Sequence, residues 1–111
     1  MKPEDLIDKQ LEFYNKNLLD LFCNTYSDNI EIFDLKSGKV ILSGKKELYE
    51  KYDFRFNVQK VQTKIINRII IGNSVIDQEE VSGIKENEIV KAVAIYEIEN
   101  DLIKTVKFIF E

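Results

Sequence analysis

Ile7, Leu11, Tyr14 and Leu18 recur at i, i+4, i+7 and i+11 and predict one amphipathic helix near the start of the chain. Pro3 fits its first turn, and Glu4, Asp5 and Asp8 suit the positive end of its dipole. Asn15 and Asn17 interrupt the stripe. Asn17 with Asp20 three residues on predicts the cap of a short second helix over 18–26, with Leu18, Leu21, Phe22 and Thr25 facing inward. Ser27-Asp28-Asn29 then reads as a turn. Ile30, Ile32 and Asp34 alternate with Glu31 and Phe33, a strand, and a hairpin through Lys36-Ser37-Gly38-Lys39 returns as 40–42. Ser43-Gly44 opens a third helix over 45–52, with Leu48, Tyr49 and Tyr52 as its apolar positions. From Val58 the pattern turns to strands over 64–71, 75–82, 88–98 and 103–110, separated by Gly72-Asn73, 83–87 and Asn100-Asp101. Connections this short predict antiparallel neighbours. The expected class is α+β: three helices packed on one face of an antiparallel sheet of about four main strands plus a short hairpin.

Both faces of that sheet are apolar. Strand 88–98 shows Val90, Ala92, Ala94, Tyr96 and Ile98 on one side, and Ile89, Lys91, Val93, Ile95 and Glu97 on the other. Strand 64–71 sets Ile65, Ile69 and Ile71 against Ile66 and Ile70. A sheet with one wet face would alternate cleanly. Helices cover one face, so a homodimer through the other is expected, with Ala94 at the dry interface; the alternative is that the chain's own edge loops cover part of it.

Composition narrows the chemistry. With 111 residues, one proline and four glycines, no linker appears, and one domain over 1–111 is expected. Histidine is absent, which removes triads and imidazole bases. The lone Cys23 excludes an internal disulfide and reads as a small buried residue. A net charge of −4 argues against nucleic acid, and no apolar run approaches the roughly 20 residues a membrane span needs. The opening MKPEDLIDKQ carries acids where a signal peptide is apolar, so a cytoplasmic protein is expected.

Among chemistry-bearing residues, Asp34 stands on the strand face of Ile30 and Ile32, either at a pocket, since unpaired burial is costly, or as the start of the following turn. Arg68, one of two arginines, suits a pair with Asp34, a ligand carboxylate held bidentately, or a salt bridge on the sheet surface. Tyr49, Tyr52, Phe54 and Phe56 form either core or a pocket mouth, and Phe108 with Phe110 a pocket floor or helix packing. Asp77, Glu79 and Glu80 do not read as a metal cluster, because 77 and 80 point to opposite faces.

The order Tyr14-Asn15, Leu18-Leu19-Asp20, Tyr26-Ser27-Asp28-Asn29 and Ile32-Phe33-Asp34 resembles the opening of the nuclear transport factor 2-like superfamily, in its SnoaL-like and ketosteroid-isomerase-like branch. Gly44, Ile66-Asn67-Arg68-Ile69, residues 72–77 and Ala92-Val93-Ala94-Ile95-Tyr96 continue it. The resemblance implies a cystatin-like cone of curved sheet around helices, with a pocket inside. It implies Asp34 as general base; the phenol position falls at Gln10, with Tyr14 one turn later as a displaced donor. The late acid position falls near Lys91, and positions often held by histidine fall at Gln62 and Gln78. These departures weigh against a steroid isomerase. The expected function is a SnoaL-like protein holding a small apolar or carbonyl-containing ligand, with no cofactor and no metal. Tyr14, Asp34 and Gln78 would orient the ligand, and Gln10, Tyr52, Arg68, Phe108 and Phe110 would line its site. The alternatives are an acid–base isomerase, cyclase or dehydratase using Asp34 and Tyr14, and a subunit that only dimerises and recruits partners.

Overall fold

Pro3 at the first position and two acids in the first turn open α1 (Pro3–Asn15), as the sequence predicts. Its buried stripe is Leu6, Ile7, Gln10 and Tyr14. The helix ends at Asn17, whose backbone is left-handed (φ 54°) and whose Nδ2 donates to Tyr14 O at 2.9 Å and Val61 O at 3.1 Å. Asn17 therefore closes the first helix and does not cap the second. Without that cap, α2 is short (Leu19–Cys23) and buries only Phe22 and Cys23, leaving Leu18 and Leu21 exposed.

The expected turn at Ser27-Asp28-Asn29 lies inside β1 (Tyr26–Asp34). A distant partner overrides the local turn chemistry: Tyr26 pairs with Ile103, and the Ile103 N–H donates to Thr25 O at 2.9 Å. β2 (Val40–Ser43) returns antiparallel to β1, and α3 (Gly44–Phe54) turns Leu48 and Tyr52 inward while Tyr49 and Phe54 stay exposed. The chain then widens into a π-helical turn, Arg55–Gln59, where the sequence pattern suggests the start of strand structure. Lys60, left-handed at φ 56°, ends it. β3 (Gln62–Ile71), β4 (Ser74–Ser82), β5 (Val90–Glu99) and β6 (Leu102–Phe110) complete the chain.

The computed structural model describes residues 1–111. All strands form one sheet of six in the order β2-β1-β6-β5-β4-β3. This corrects the expectation of about four main strands with a hairpin beside them. β1 joins β6 in parallel, a pairing that local connections do not announce, and the hairpin becomes one wing of the same sheet.

Alternation sorts the strands into two faces. Val75, Asp77, Glu79 and Val81 of β4 are all buried, and their partners on β5 are Tyr96, Ala94, Ala92 and Val90. This inner face meets the helices. Phe22, Tyr26, Tyr52, Phe56 and Tyr14 pack there as one aromatic cluster, with ring centroids 4.7–6.2 Å apart. Ala94 belongs to this inner face and is fully buried, so it is not at the expected intersubunit surface. The outer face carries Ile69, Ile76 and Ile95 in register across three strands. No helix is long and apolar enough to cross a membrane.

Candidate functional site

A cavity opens in the cone, and the inward-facing Asp77 and Glu79 of β4 and Phe108 and Phe110 of β6 contribute to its lining. The cavity measures about 190 Å³. Its closed end is lined by buried Gln10, Tyr26, Asp77 and Tyr96, and its mouth by partly exposed Ile41, Lys51, Arg55, Ile84 and Phe110. Tyr14, Tyr52, Thr63 and Glu79 also line it.

Glu79 is the unpaired acid of this lining. It is only 8% exposed, takes part in no hydrogen bond or ion pair within the protein, and borders the cavity. Burial, with a smaller contribution from the Asp77 charge on the same face, pushes its carboxyl up to about 8. At neutral pH it is therefore mostly a protonated acid, able to donate a hydrogen bond.

Asp77, two residues earlier, is 1% exposed but satisfied. Arg68 Nε donates to its Oδ1 at 2.6 Å and Nη2 to its Oδ2 at 2.9 Å, a bidentate pair across the β3–β4 ladder. The same guanidinium donates through Nη1 to Asp8 on α1, locking the helix to the sheet, and its two carboxylates hold Arg68 further toward the charged form. These neighbouring acids thus have different environments: one sits in a fixed ion pair, the other is kept neutral and unpartnered.

The phenols are held the same way. Gln10 Nε2 donates to Tyr26 Oη at 3.2 Å. Burial pushes Tyr14 up to about 12, against the opposing influence of nearby Thr63, and raises Tyr26, Tyr52 and Tyr96 as well. All four remain neutral at physiological pH. The Asn15 side chain bonds the Thr63 backbone on both sides (Nδ2 to O, 3.0 Å; N to Oδ1, 2.7 Å), fixing α1 to the start of β3.

Five sequence-predicted residues, Gln10, Tyr14, Tyr52, Phe108 and Phe110, line this one cavity. Three do not. Asp34 lies at the surface, where its Oδ2 accepts the Ser37 N–H at 3.1 Å; the Ser37 side chain first, and this backbone bond to a lesser degree, lower its pKa, the turn-forming alternative. Gln78 is exposed on the outer face, opposite in parity to Asp77 and Glu79. Arg68 is occupied by Asp77 and Asp8, not by Asp34 and not as a free ligand anchor. The sequence reading missed Asp77 and Glu79, although their i, i+2 spacing puts both on one strand face. It also missed Tyr26, Tyr96, Lys51 and Arg55.

No protein-family model and no curated protein matches the sequence. Solved structures match its shape closely. An uncharacterised cystatin-fold protein from Novosphingobium aromaticivorans superposes with a TM-score of 0.86 at 20% identity, over 97% of this chain and 97% of that one. An NTF2-like protein of unknown function from Cytophaga hutchinsonii gives 0.84 at 13% identity, over 100% of this chain and 91% of that one. The fold is NTF2-like. A protein of the ketosteroid isomerase-like fold from Catenulispora acidiphila, solved in complex with trimethylamine, gives 0.76 at 11% identity, over 97% and 85%. The NTF2-like cone is thus common to this chain and to proteins of very different sequence.

Proposed function

We propose that the chain is a small-molecule binding protein whose cone takes an apolar, carbonyl-bearing ligand. One observation carries the reading: Glu79 is a buried, neutral carboxyl group with no protein partner, bordering a cavity otherwise lined mainly by apolar and aromatic side chains. The Glu79 oxygens are not among the fully enclosed polar atoms that lack a partner, which are Ser27 Oγ and Thr105 Oγ1, so they keep accessible surface that a ligand can reach. A ligand oxygen in the cavity would accept the Glu79 proton in a hydrogen bond, and Tyr14 adds a second neutral hydroxyl to the same lining. An engineered apolar cavity of about 150 Å³ takes benzene, so the cone suits a body of one ring with small substituents. That a protein of this fold is found with trimethylamine supports the use of such cones for small molecules. The test is an NMR titration with acetophenone. Methyl signals of Ile32, Ile65 and Val81 inside the cone should shift while those of Ile69 and Ile95 outside should not; unmoved cone signals would remove the reading.

Acid–base catalysis is the second reading, and the position of Glu79 favours it over the Asp34 route. A carboxyl group titrating near 8 is matched to proton transfer at neutral pH. Asp34, at the surface, does not touch the cavity.

We infer a homodimer through the outer sheet face as well. Ile69, Ile76 and Ile95 form an apolar strip there, with Val93 and Ile109 beside it. Lys64, Glu80, Lys91, Glu97 and Lys107 surround it on the same face. A rim of mixed sign is what a two-fold, self-complementary contact with a second copy uses.

A further inference from the structure

Two cations stand at the mouth of the cone without a counter-ion. Lys51 on α3 and Arg55 at the start of the π-helical turn are four residues apart, half-buried, and both line the cavity. The six ion pairs of the molecule engage Lys16, Lys45, Arg68, Lys85 and Lys104, and none involves Lys51 or Arg55. The chain has twenty acids to sixteen bases, yet no carboxylate neutralises this pair. Like charges at i, i+4 work against a helix. Burial and the neighbouring Arg55 charge both lower the Lys51 pKa.

The pair is also built into place. Arg55 Nη1 donates to Gln59 Oε1 at 2.8 Å, and Gln59 Nε2 donates to Ile84 O at 3.0 Å, so a neutral amide aims the guanidinium without discharging it. Gly83 makes this possible: at φ +94° it lies so close that a Cβ would meet Gln59 O at 2.9 Å and Val61 Cα at 3.1 Å. The π-helical turn is thereby pressed against the end of β4. Single π-turns frequently mark functional sites.

We propose that the mouth is a carboxylate site, so that the ligand of the cone is an amphiphile with its apolar body inside, a carbonyl oxygen toward Glu79, and an anionic carboxylate head held by Lys51 and Arg55. The planar, forked guanidinium suits two carboxylate oxygens, and the ammonium adds a point charge. The inference rests on the cone being the ligand site and adds the head group and its orientation.

Calorimetric titration of the full chain with 4-acetylbenzoate and with methyl 4-acetylbenzoate isolates the head group, since the two differ in that charge at nearly equal shape. The free acid should bind about tenfold more tightly than the ester at low salt, the scale of a charge-assisted hydrogen bond. Lys51→Gln and Arg55→Gln should each narrow that gap, as should added salt. Equal affinity of acid and ester in the wild-type chain overturns the carboxylate site while leaving the cone as a ligand site. Binding of neither compound overturns both. The wild-type comparison needs no variant to fold, and a gap unchanged in folded Lys51→Gln and Arg55→Gln, checked by circular dichroism, assigns the preference elsewhere and refutes the proposal.

Discussion

Glu79→Gln should make the protein less sensitive to alkaline pH. In the folded state the Glu79 carboxyl holds its proton up to about 8, whereas the ordinary glutamate value is 4.5. Between those values the native state binds more protons than the unfolded chain, so stability falls as pH rises. The contribution is fully present below about 4.5 and lost once pH has passed about 8. At roughly 1.4 kcal/mol per pH unit, the loss across the window is on the order of 5 kcal/mol. Glutamine keeps the shape and stays neutral throughout, so the variant should lack this slope. Urea unfolding at pH 5 should place the two proteins within about 1 kcal/mol, the scale of one hydrogen bond. At pH 8.5 the variant should be the more stable by several kcal/mol, a Tm gap on the order of 10 °C or more. Parallel stability–pH curves for the two proteins would refute the claim that Glu79 is buried in its acid form.

The Arg68→Met variant would leave Asp77 buried without its guanidinium and should lose about 3–5 kcal/mol in chemical denaturation, with much of it restored by adding Asp77→Asn. Gly83→Ala forces a Cβ against the π-helical turn and a left-handed backbone on alanine; unfolding should show a loss on the order of 1–3 kcal/mol. Ile95→Glu on the outer strip should yield a folded monomer by analytical ultracentrifugation, whereas Ala94→Glu should unfold the protein, because Ala94 is fully buried inside the cone.

The elements that depend on their own residues were readable in the chain. The stripe through Ile7 and Tyr14 gives α1, and the long strands from β3 to β6 stand close to their expected limits because their turns at Gly72-Asn73 and Asn100-Asp101 are local. What failed depends on distant partners. Ser27-Asp28-Asn29 carries turn residues, but β6 draws it into a strand. The π-helical turn answers to the close approach of Gly83, some 25 residues away, which no local periodicity records.

The candidate site divides the same way. Gln10 and Tyr14 are legible through helical spacing together with the family resemblance, and Tyr52 through helical spacing alone. Asp34 was drawn in by its place beside Ile32, yet its carboxylate bonds the turn that follows it. Gln78 fails on strand parity. Alternation alone separates Asp77 and Glu79 from Glu80, so the three acids fail as a metal cluster while two of them share one face. Which face is covered depends on the helices that pack on it, and alternation along one strand does not carry that information.

The most direct test of a neutral Glu79 serving ligand binding in the cone is the carbon-13 shift of its carboxyl group followed against pH, with and without saturating acetophenone. The free protein should show a midpoint near 8, and the ketone should move it upward, because only the acid form donates to a carbonyl oxygen. A midpoint near the ordinary 4.5, unmoved by the ketone, would contradict the account.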